Sequence, residues 1–284
     1  MRRALFAAAG VGSIVSVMSR PVALVTGSTD GIGRLTSALL ARDDFTVLLH
    51  GRSQSRLGET REEILSQTPH AHLETYCYDL QTKNSVLALA ADVLSKHGKH
   101  LDVVVQNAGV FMQERVVTAD NLEMTFAVNV CAPFLLAQQL LPVLSSTAGS
   151  RMLMVSSISQ SDGGGRYDMS KFEHESWDSY SSYGQSKLQM AMLSHQLSTK
   201  FTNPVIMSCD PGTVNTKMLL AGWGRCGIPI SSATDEYELV KGPADATKHG
   251  KYFVGLRESR CSSSVYDATA RAALWNHLEE TTAP

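Results

Sequence analysis

From residue 21 to the C-terminus, short apolar runs alternate with longer amphipathic stretches, a pattern that predicts repeated strand–helix–strand units. Seven runs read as strands, at 22–26, 45–49, 73–78, 101–106, 152–156, 205–209 and 252–255. Most are continuously apolar, as expected when both faces of a parallel sheet are covered. Helical periodicity occupies 33–41, 54–67, 84–97, 121–144 and 180–201. Two stretches fit neither pattern. Residues 160–178 are rich in Gly and Ser, and residues 217–232 mix Met, Leu, Trp and Gly. Loops this long in a compact domain usually serve function, often as a lid. No repeat, low-complexity tract or linker interrupts the pattern, so the 284 residues suit one large α/β domain.

The N-terminus departs from this pattern. No acidic residue precedes Asp30, and residues 4–19 are nearly all small or apolar between Arg2-Arg3 and Arg20. As a helix they reach only about 24 Å, against a hydrocarbon core of roughly 30 Å. A membrane anchor, a transit peptide and a secretory signal all compete for this segment. An odd number of cysteines places secretion last. The expectation is an anchor or targeting segment over 1–20 and a catalytic domain over 21–284. The protein would be intracellular: ER-type membrane-associated, organelle-targeted, or otherwise cytosolic. No other segment reads as long and apolar enough to span a membrane.

Composition narrows the chemistry. With 43% hydrophobic and 18% charged residues and a formal charge of −2, nothing points to nucleic acid. Cys77, Cys131, Cys209, Cys226 and Cys261 are scattered, with no C-x-x-C pair or ligand spacing. Buried reduced thiols are expected, and no metal.

The most specific motif is Thr26-Gly27-Ser28-Thr29-Asp30-Gly31-Ile32-Gly33, between the first strand and the first helix. Glycines there let the backbone turn tightly and approach a pyrophosphate, which meets free N–H groups at the helix N-terminus. Three Tyr-x-x-x-Lys pairs occur: Tyr167/Lys171, Tyr183/Lys187 and Tyr237/Lys241. Context selects Tyr183/Lys187, which opens a long, largely apolar helix ending before a strand. The i, i+4 spacing puts hydroxyl and ammonium on one face. A nearby ammonium favours the phenolate and brings a tyrosine toward working pH. Ser157, ending the fifth strand, is placed to hydrogen-bond a substrate oxygen beside Tyr183.

With these residues assembled, the chain resembles the short-chain dehydrogenase/reductases along its whole length after residue 21. Thr26 to Gly33 match the T-G-x-x-x-G-x-G loop, and Asp79-Leu80 match the acidic-Leu pair that contacts adenine. Asn107-Ala108-Gly109 match the N-A-G after the fourth strand, Asn129 the active-site asparagine, and Ser157, Tyr183 and Lys187 the other catalytic residues. Pro211-Gly212-Thr213-Val214-Asn215-Thr216 match the P-G-x-V-x-T nicotinamide loop. The resemblance implies a Rossmann-type doubly wound parallel sheet of about seven strands with helices on both faces. Tyr183-Gly184-Gln185-Ser186-Lys187-Leu188, the long insertion before it, Gly250-Lys251-Tyr252-Phe253 and Ala272-Ala273-Leu274-Trp275 resemble the retinol dehydrogenase-like subgroup, whose members often carry an N-terminal anchor. Three positions depart from the pattern: Gln106 for the first Asn of N-N-A-G, Asp210 for a histidine before Pro211, and His50-Gly51 for small residues before Arg52.

The second strand ends in Leu49-His50-Gly51-Arg52, with no carboxylate for the ribose hydroxyls of NAD. Arg52, with Arg34 as a second candidate, can meet a 2′-phosphate instead, so NADP(H) is favoured over NAD(H). The resemblance implies hydride transfer between nicotinamide and a carbonyl or alcohol carbon. Tyr183 then acts as acid, Ser157 holds the oxygen, Lys187 lowers the tyrosine pKa and binds ribose, and Asn129 positions a relay water. Met218, Leu219, Leu220 and Trp223 follow the nicotinamide loop, and Met218 and Trp223 are expected to meet a lipophilic substrate of retinoid, fatty aldehyde or steroid type. A catalytically silent NADPH sensor and C=C reduction are the alternatives. A homodimer through the helices at 121–144 and 180–201 is a further expectation from the family.

Overall fold

The computed structural model describes residues 20–283; apart from Arg20, the segment expected to be an anchor lies outside them. The strands are β1 (Val22–Val25), β2 (Thr46–Gly51), β3 (His72–Cys77), β4 (Val103–Gln106), β5 (Arg151–Val155), β6 (Val205–Asp210), β7 (Tyr252–Val254) and β8 (Arg257–Ser259). They form one sheet in the order β3-β2-β1-β4-β5-β6-β7-β8. All neighbours pair in parallel except β7 and β8, which are antiparallel. The eighth strand is the addition to the seven expected. It is short and polar, so it carries no hydrophobic signal.

Strand alternation sorts the core into two layers. Leu24, Leu48, Val104, Met152 and Ile206 face one side, with Val86, Phe134 and Leu188 from the helices α3 (Lys83–His97), α5 (Ala132–Ser146) and α6 (Ser179–Lys200). Ala23, Val25, Leu49, Val105 and Leu153 face the other, with Leu40, Leu57 and Leu239 from α1 (Gly31–Arg42), α2 (Gln54–Gln67) and α8 (Asp235–Val240). Both faces of the central strands β1, β4, β5 and β6 are thus buried, which is why they read as largely apolar runs, whereas the edge strands β3 and β8 are partly exposed.

The helix expected from residue 121 starts later. Asn121 has φ 60, a left-handed conformation asparagine tolerates, and Glu123 caps the short α4 (Met124–Phe126). A π-turn over Ala127–Cys131 then leads into α5. Together Met124–Ser146 is 23 residues long and holds an 18-residue window of mean hydropathy 1.6, enough by length and composition to cross a bilayer. That corrects the expectation that no further segment qualifies, but 83% of its apolar window is buried inside the domain, as in a core helix. Its outer face, and that of α6, are covered within the chain by α9 (Ser263–Tyr266) and α10 (Ala268–Thr282). Trp275 packs edge-on against Phe134, and Arg271 Nε donates to Gln196 Oε1 at 3.0 Å. These are the helices through which the pairing of two copies was expected, and α10 packs beside them.

Residues 160–178 do not form a lid. They fold into 3-10 turns (Ile158–Gly164, Met169–Phe172, His174–Ser176) with Phe172 buried. Gln185 ties them to α6 through Arg166 O and the Asp168 N–H, while Gln160 accepts from Ser262. Residues 217–232 do cover a cleft, through α7 (Lys217–Gly222).

Candidate active site

Strand order reverses beside β1, so the loops leaving β1 and β4 diverge and open a cleft of about 510 Å³ at the C-terminal ends of the strands. Its glycine loop is fixed by local chemistry. Ser28 is buried outside the cleft lining, where its hydroxyl donates to Val25 O and accepts from the His50 N–H. Asn107 Nδ2 donates to Thr26 O at 2.8 Å, and the Ala108 N–H to Thr26 Oγ1 at 3.0 Å. Gly27 has φ +71, and Gly33 packs so tightly that a Cβ would stand 2.3 Å from Asn107 Nδ2. Gly33 therefore serves the approach of α1 to the sheet and lies outside the cleft, while Gly27, Asp30, Gly31 and Ile32 line it. This cradle, bare of side chains at Gly27 and Gly31 and ending at the N-terminus of α1, where Asp30 caps the Gly31 N–H, fits a pyrophosphate.

His50, one of the departures from the family pattern, staples the loop to the sheet. Its Nδ1 accepts from the Gly27 N–H at 3.3 Å, leaving Nε2–H to donate to Tyr78 O at 3.0 Å. Burial brings its pKa down to about 4, with the Tyr78 bond and Asp79 opposing. The unfolded chain binds a proton near pH 6.5 that the folded chain refuses until about pH 4. Stability is therefore lost as pH falls through that window, by about 3 kcal/mol. Urea unfolding of the parent and His50→Asn at pH 4.5 and pH 7 measures this. The parent is expected to lose more stability than the variant, and equal losses would remove His50 as the cause.

At one end of the cleft stand Arg52, Asp79 and Leu80, together with Arg56 and Tyr78, which the motifs did not single out. Arg56 lies in the first turn of α2, capped by Ser53, and its Nη2 donates to Thr29 O at 3.1 Å and Asp30 Oδ2 at 3.0 Å. Its spacing from Arg52 was the available signal. Arg34 is not brought to the cleft: it is half-exposed on α1 and pairs with Glu63 at 2.8 Å. Helix geometry turns it to the α2 side, a direction proximity in sequence does not reveal. Asp30 keeps its pKa below the ordinary value; burial opposes this, but Lys217, the Gly31 N–H and Arg56 outweigh it.

At the other end Ser157, Tyr183 and Lys187 converge with Asn107, Ala108 and Gly109. A Cβ on Gly109 would meet Asn129 Oδ1 at 3.3 Å and Lys187 Nζ at 3.4 Å, so the N-A-G turn lies directly on both. Asn129 sits in the π-turn, outside the cleft lining. Its Nδ2 donates to Val110 O and Ser186 Oγ, and its Oδ1 accepts from the Val110 N–H. Lys187 Nζ donates to Val155 O at 3.0 Å and lies 5.6 Å from the Tyr183 ring centroid. Burial lowers the Lys187 pKa to about 8, against the pull of Glu236, Cys209 and Asp210. Burial raises Tyr183 above its ordinary value, opposed by a hydrogen bond with Ser157. Lys187 was expected from its spacing to depress the tyrosine; here its Nζ is turned to Val155 O, and burial favours the protonated phenol.

Pro211, Gly212, Val214 and Thr216 line the same wall, and Asp210, held high in pKa chiefly by burial, accepts from the Gly212 N–H at 3.0 Å. Thr216 caps α7 through the Leu219 N–H, and Met218, Leu219 and Trp223 reach the cleft, whereas Leu220 is exposed. Trp223 lies over the catalytic end, 5.6 Å from the Tyr183 ring and 4.6 Å from Phe111. The competing pairs go elsewhere: Tyr237 bonds Asp43 and Lys241 pairs with Glu238, while Lys171 pairs with Asp168. Cys131, Cys209 and Cys261 are buried and free, but Cys77 and Cys226 are exposed, contrary to the expectation for all five.

The family described as short chain dehydrogenase matches residues 21–222. Retinol dehydrogenase 13 of Homo sapiens is 28% identical over 271 residues, 89% of this chain and 81% of its own. Polyprenol dehydrogenase of Mus musculus is 34% identical over 212 residues, 71% and 62% respectively. Among solved structures, a protein from Mycobacterium paratuberculosis superposes with TM-score 0.74 at 24% identity, covering 93% of both chains. A short chain dehydrogenase of Shigella flexneri 2a, complexed with NADP, gives 0.69 at 23%, covering 84% of this chain and 97% of that one. The chain belongs to the short chain dehydrogenase family, on its retinol dehydrogenase-like side, and is an NAD(P)-dependent oxidoreductase acting between CH–OH and C=O.

Proposed function

We propose that this protein interconverts a lipophilic carbonyl compound and its alcohol with NADP(H). The carrying observation is one cleft with Ser157, Tyr183 and Lys187 at one end and the paired cations Arg52 and Arg56 at the other. No carboxylate ends β2 to take the ribose hydroxyls, and the guanidinium forks suit a 2′-phosphate. Gly27, Asp30, Gly31 and Ile32 would hold the pyrophosphate, Asp79 and Leu80 the adenine, and Asn107, Ala108, Gly109, Pro211, Gly212, Val214 and Thr216 the nicotinamide half. When bound, the dinucleotide supplies or accepts the hydride.

The chain's residues do the rest. Ser157 and Tyr183 direct two hydroxyl donors at one substrate oxygen, and Tyr183 Oη gives up its proton as that oxygen gains charge. Lys187, buried and able to ionise near neutral pH, stabilises the tyrosinate that remains. Asn129 holds the backbone of Val110 against α6 and so keeps Gly109 and Lys187 in register; a relay water on its main chain would bring a proton to Lys187 as Lys187 passes its own to the tyrosinate, restoring the phenol. Val110, Ile158, Met218, Leu219 and Trp223 make the substrate wall apolar. The names of the related retinol and polyprenol dehydrogenases support a lipophilic substrate.

Consumption of NADPH and of NADH by the full-length chain, against a panel of lipophilic aldehydes and ketones including retinal, tests the reading. Turnover with NADPH preferred is expected. Dinucleotide binding without turnover on any carbonyl would favour a silent sensor or C=C reduction, and preference for NADH would overturn the role given to the arginines.

A further inference from the structure

One carboxylate oxygen in the cleft is shared by two cations from different parts of the fold. Asp30 Oδ2 accepts from Arg56 Nη2 on α2 at 3.0 Å and from Lys217 Nζ, the first residue of α7, also at 3.0 Å. The other oxygen of Asp30 is committed to the Gly31 N–H at 2.8 Å. The α7 segment hangs between this polar anchor and an aromatic one. At its far end Tyr180 Oη donates to Gly222 O at 2.7 Å, Gln113 Nε2 donates to Ala221 O at 3.0 Å, and Trp223 packs on Phe111.

The sharing has a physical consequence. Two cations on one oxygen divide its charge and repel each other, so withdrawing one strengthens the other's hold. A phosphate dianion is a better partner for a guanidinium than half a carboxylate, and it accepts the fork in two bonds. Lys217, a flexible ammonium with 80% of its side chain exposed, follows whatever charge Asp30 offers. We propose that Arg56, Asp30 and Lys217 form a relay by which a phosphate on the adenosine 2′-oxygen tightens the hold of Asp30 on α7 over the cleft. Discrimination between phosphorylated and unphosphorylated dinucleotide is then exerted on lid closure as well as on binding. The proposal rests on the reading of Arg52 and Arg56 as a 2′-phosphate cradle.

The test uses two ligands that lack the nicotinamide half and differ only in the 2′-phosphate: adenosine 2′,5′-bisphosphate, with adenosine 5′-monophosphate as control. In the full-length chain carrying Trp177→Phe and Trp275→Phe, Trp223 is the only fluorophore of its kind. The bisphosphate is expected to shift its emission and shield it from acrylamide, and the monophosphate to do neither. Lys217→Gln should still bind the bisphosphate, by calorimetry, but lose the fluorescence response, and Lys217→Arg should keep both. Trypsin cleavage after the exposed Arg225 of the unsubstituted chain gives a second readout that needs no tryptophan changes. The bisphosphate should slow it about fivefold or more, and not in Lys217→Gln. Bisphosphate binding with no response, or with the same response in Lys217→Gln, overturns the relay alone. Bisphosphate binding no tighter than monophosphate overturns the 2′-phosphate cradle and the relay with it.

Discussion

Tyr183→Phe is expected to lower kcat by about 10³-fold while changing the NADPH dissociation constant less than about twofold. The substitution removes one oxygen and keeps the ring, which packs edge-on against Phe111 at 5.7 Å and Trp223 at 5.6 Å. The lost atom is the phenol that burial keeps protonated and that bonds Ser157, so the variant lacks the donor to the developing alkoxide. Lys187 cannot substitute, because its Nζ is turned to Val155 O. Single-turnover kinetics with NADPH and fluorescence titration of NADPH measure the two effects separately. A variant with near-parent single-turnover rates would remove Tyr183 from the chemistry, and a variant that no longer binds NADPH would make it a cofactor ligand first.

The largest expected effect on stability is Gly33→Ala. Its Cβ would lie 2.3 Å from Asn107 Nδ2 and 2.5 Å from Gly27 O, and the second of these is backbone that cannot swing aside. Relief requires α1 to back away from the sheet or Asn107 to release Thr26 O, the bond that ties the glycine loop to β4. A cost of about 3 kcal/mol is expected, a fall in Tm of roughly 10 °C in a chain of this size, with weakened dinucleotide binding. Gly58→Ala is the control: it lies in α2 with open space around its Cβ, so it should gain up to about 1 kcal/mol. Equal melting temperatures for Gly33→Ala and the parent would show that the packing at Asn107 is softer than its distances imply.

Some elements were legible because their signals are local. Helix α2 begins and ends where periodicity predicted, since Ser53 supplies its own cap to Arg56 N–H and the sequence around it is amphipathic. The glycine loop, the Asn107-Ala108-Gly109 turn and the Tyr183/Lys187 pair could be placed because backbone approach and i, i+4 geometry leave few residue types able to serve. Elements without such a signal were missed. Strand β8 is polar and held by its antiparallel pairing to β7 alone, and the start of α4 depends on a left-handed Asn121.

By itself, the order of apolar runs and amphipathic stretches determined a parallel α/β sheet, and its motifs determined where the strand ends carry chemistry. Those are properties of neighbours in the chain. Tertiary structure alone decided which arginine reaches the cleft, because Arg34 and Arg56 differ only in the direction their helices face: one meets Glu63, the other Asp30. It alone set the surroundings of Tyr183, since burial in the assembled cleft favours the neutral phenol while the lysine one turn away points its Nζ at Val155 O. It also turned an apolar stretch long enough for a membrane into the core helix of a domain, by covering it with α10.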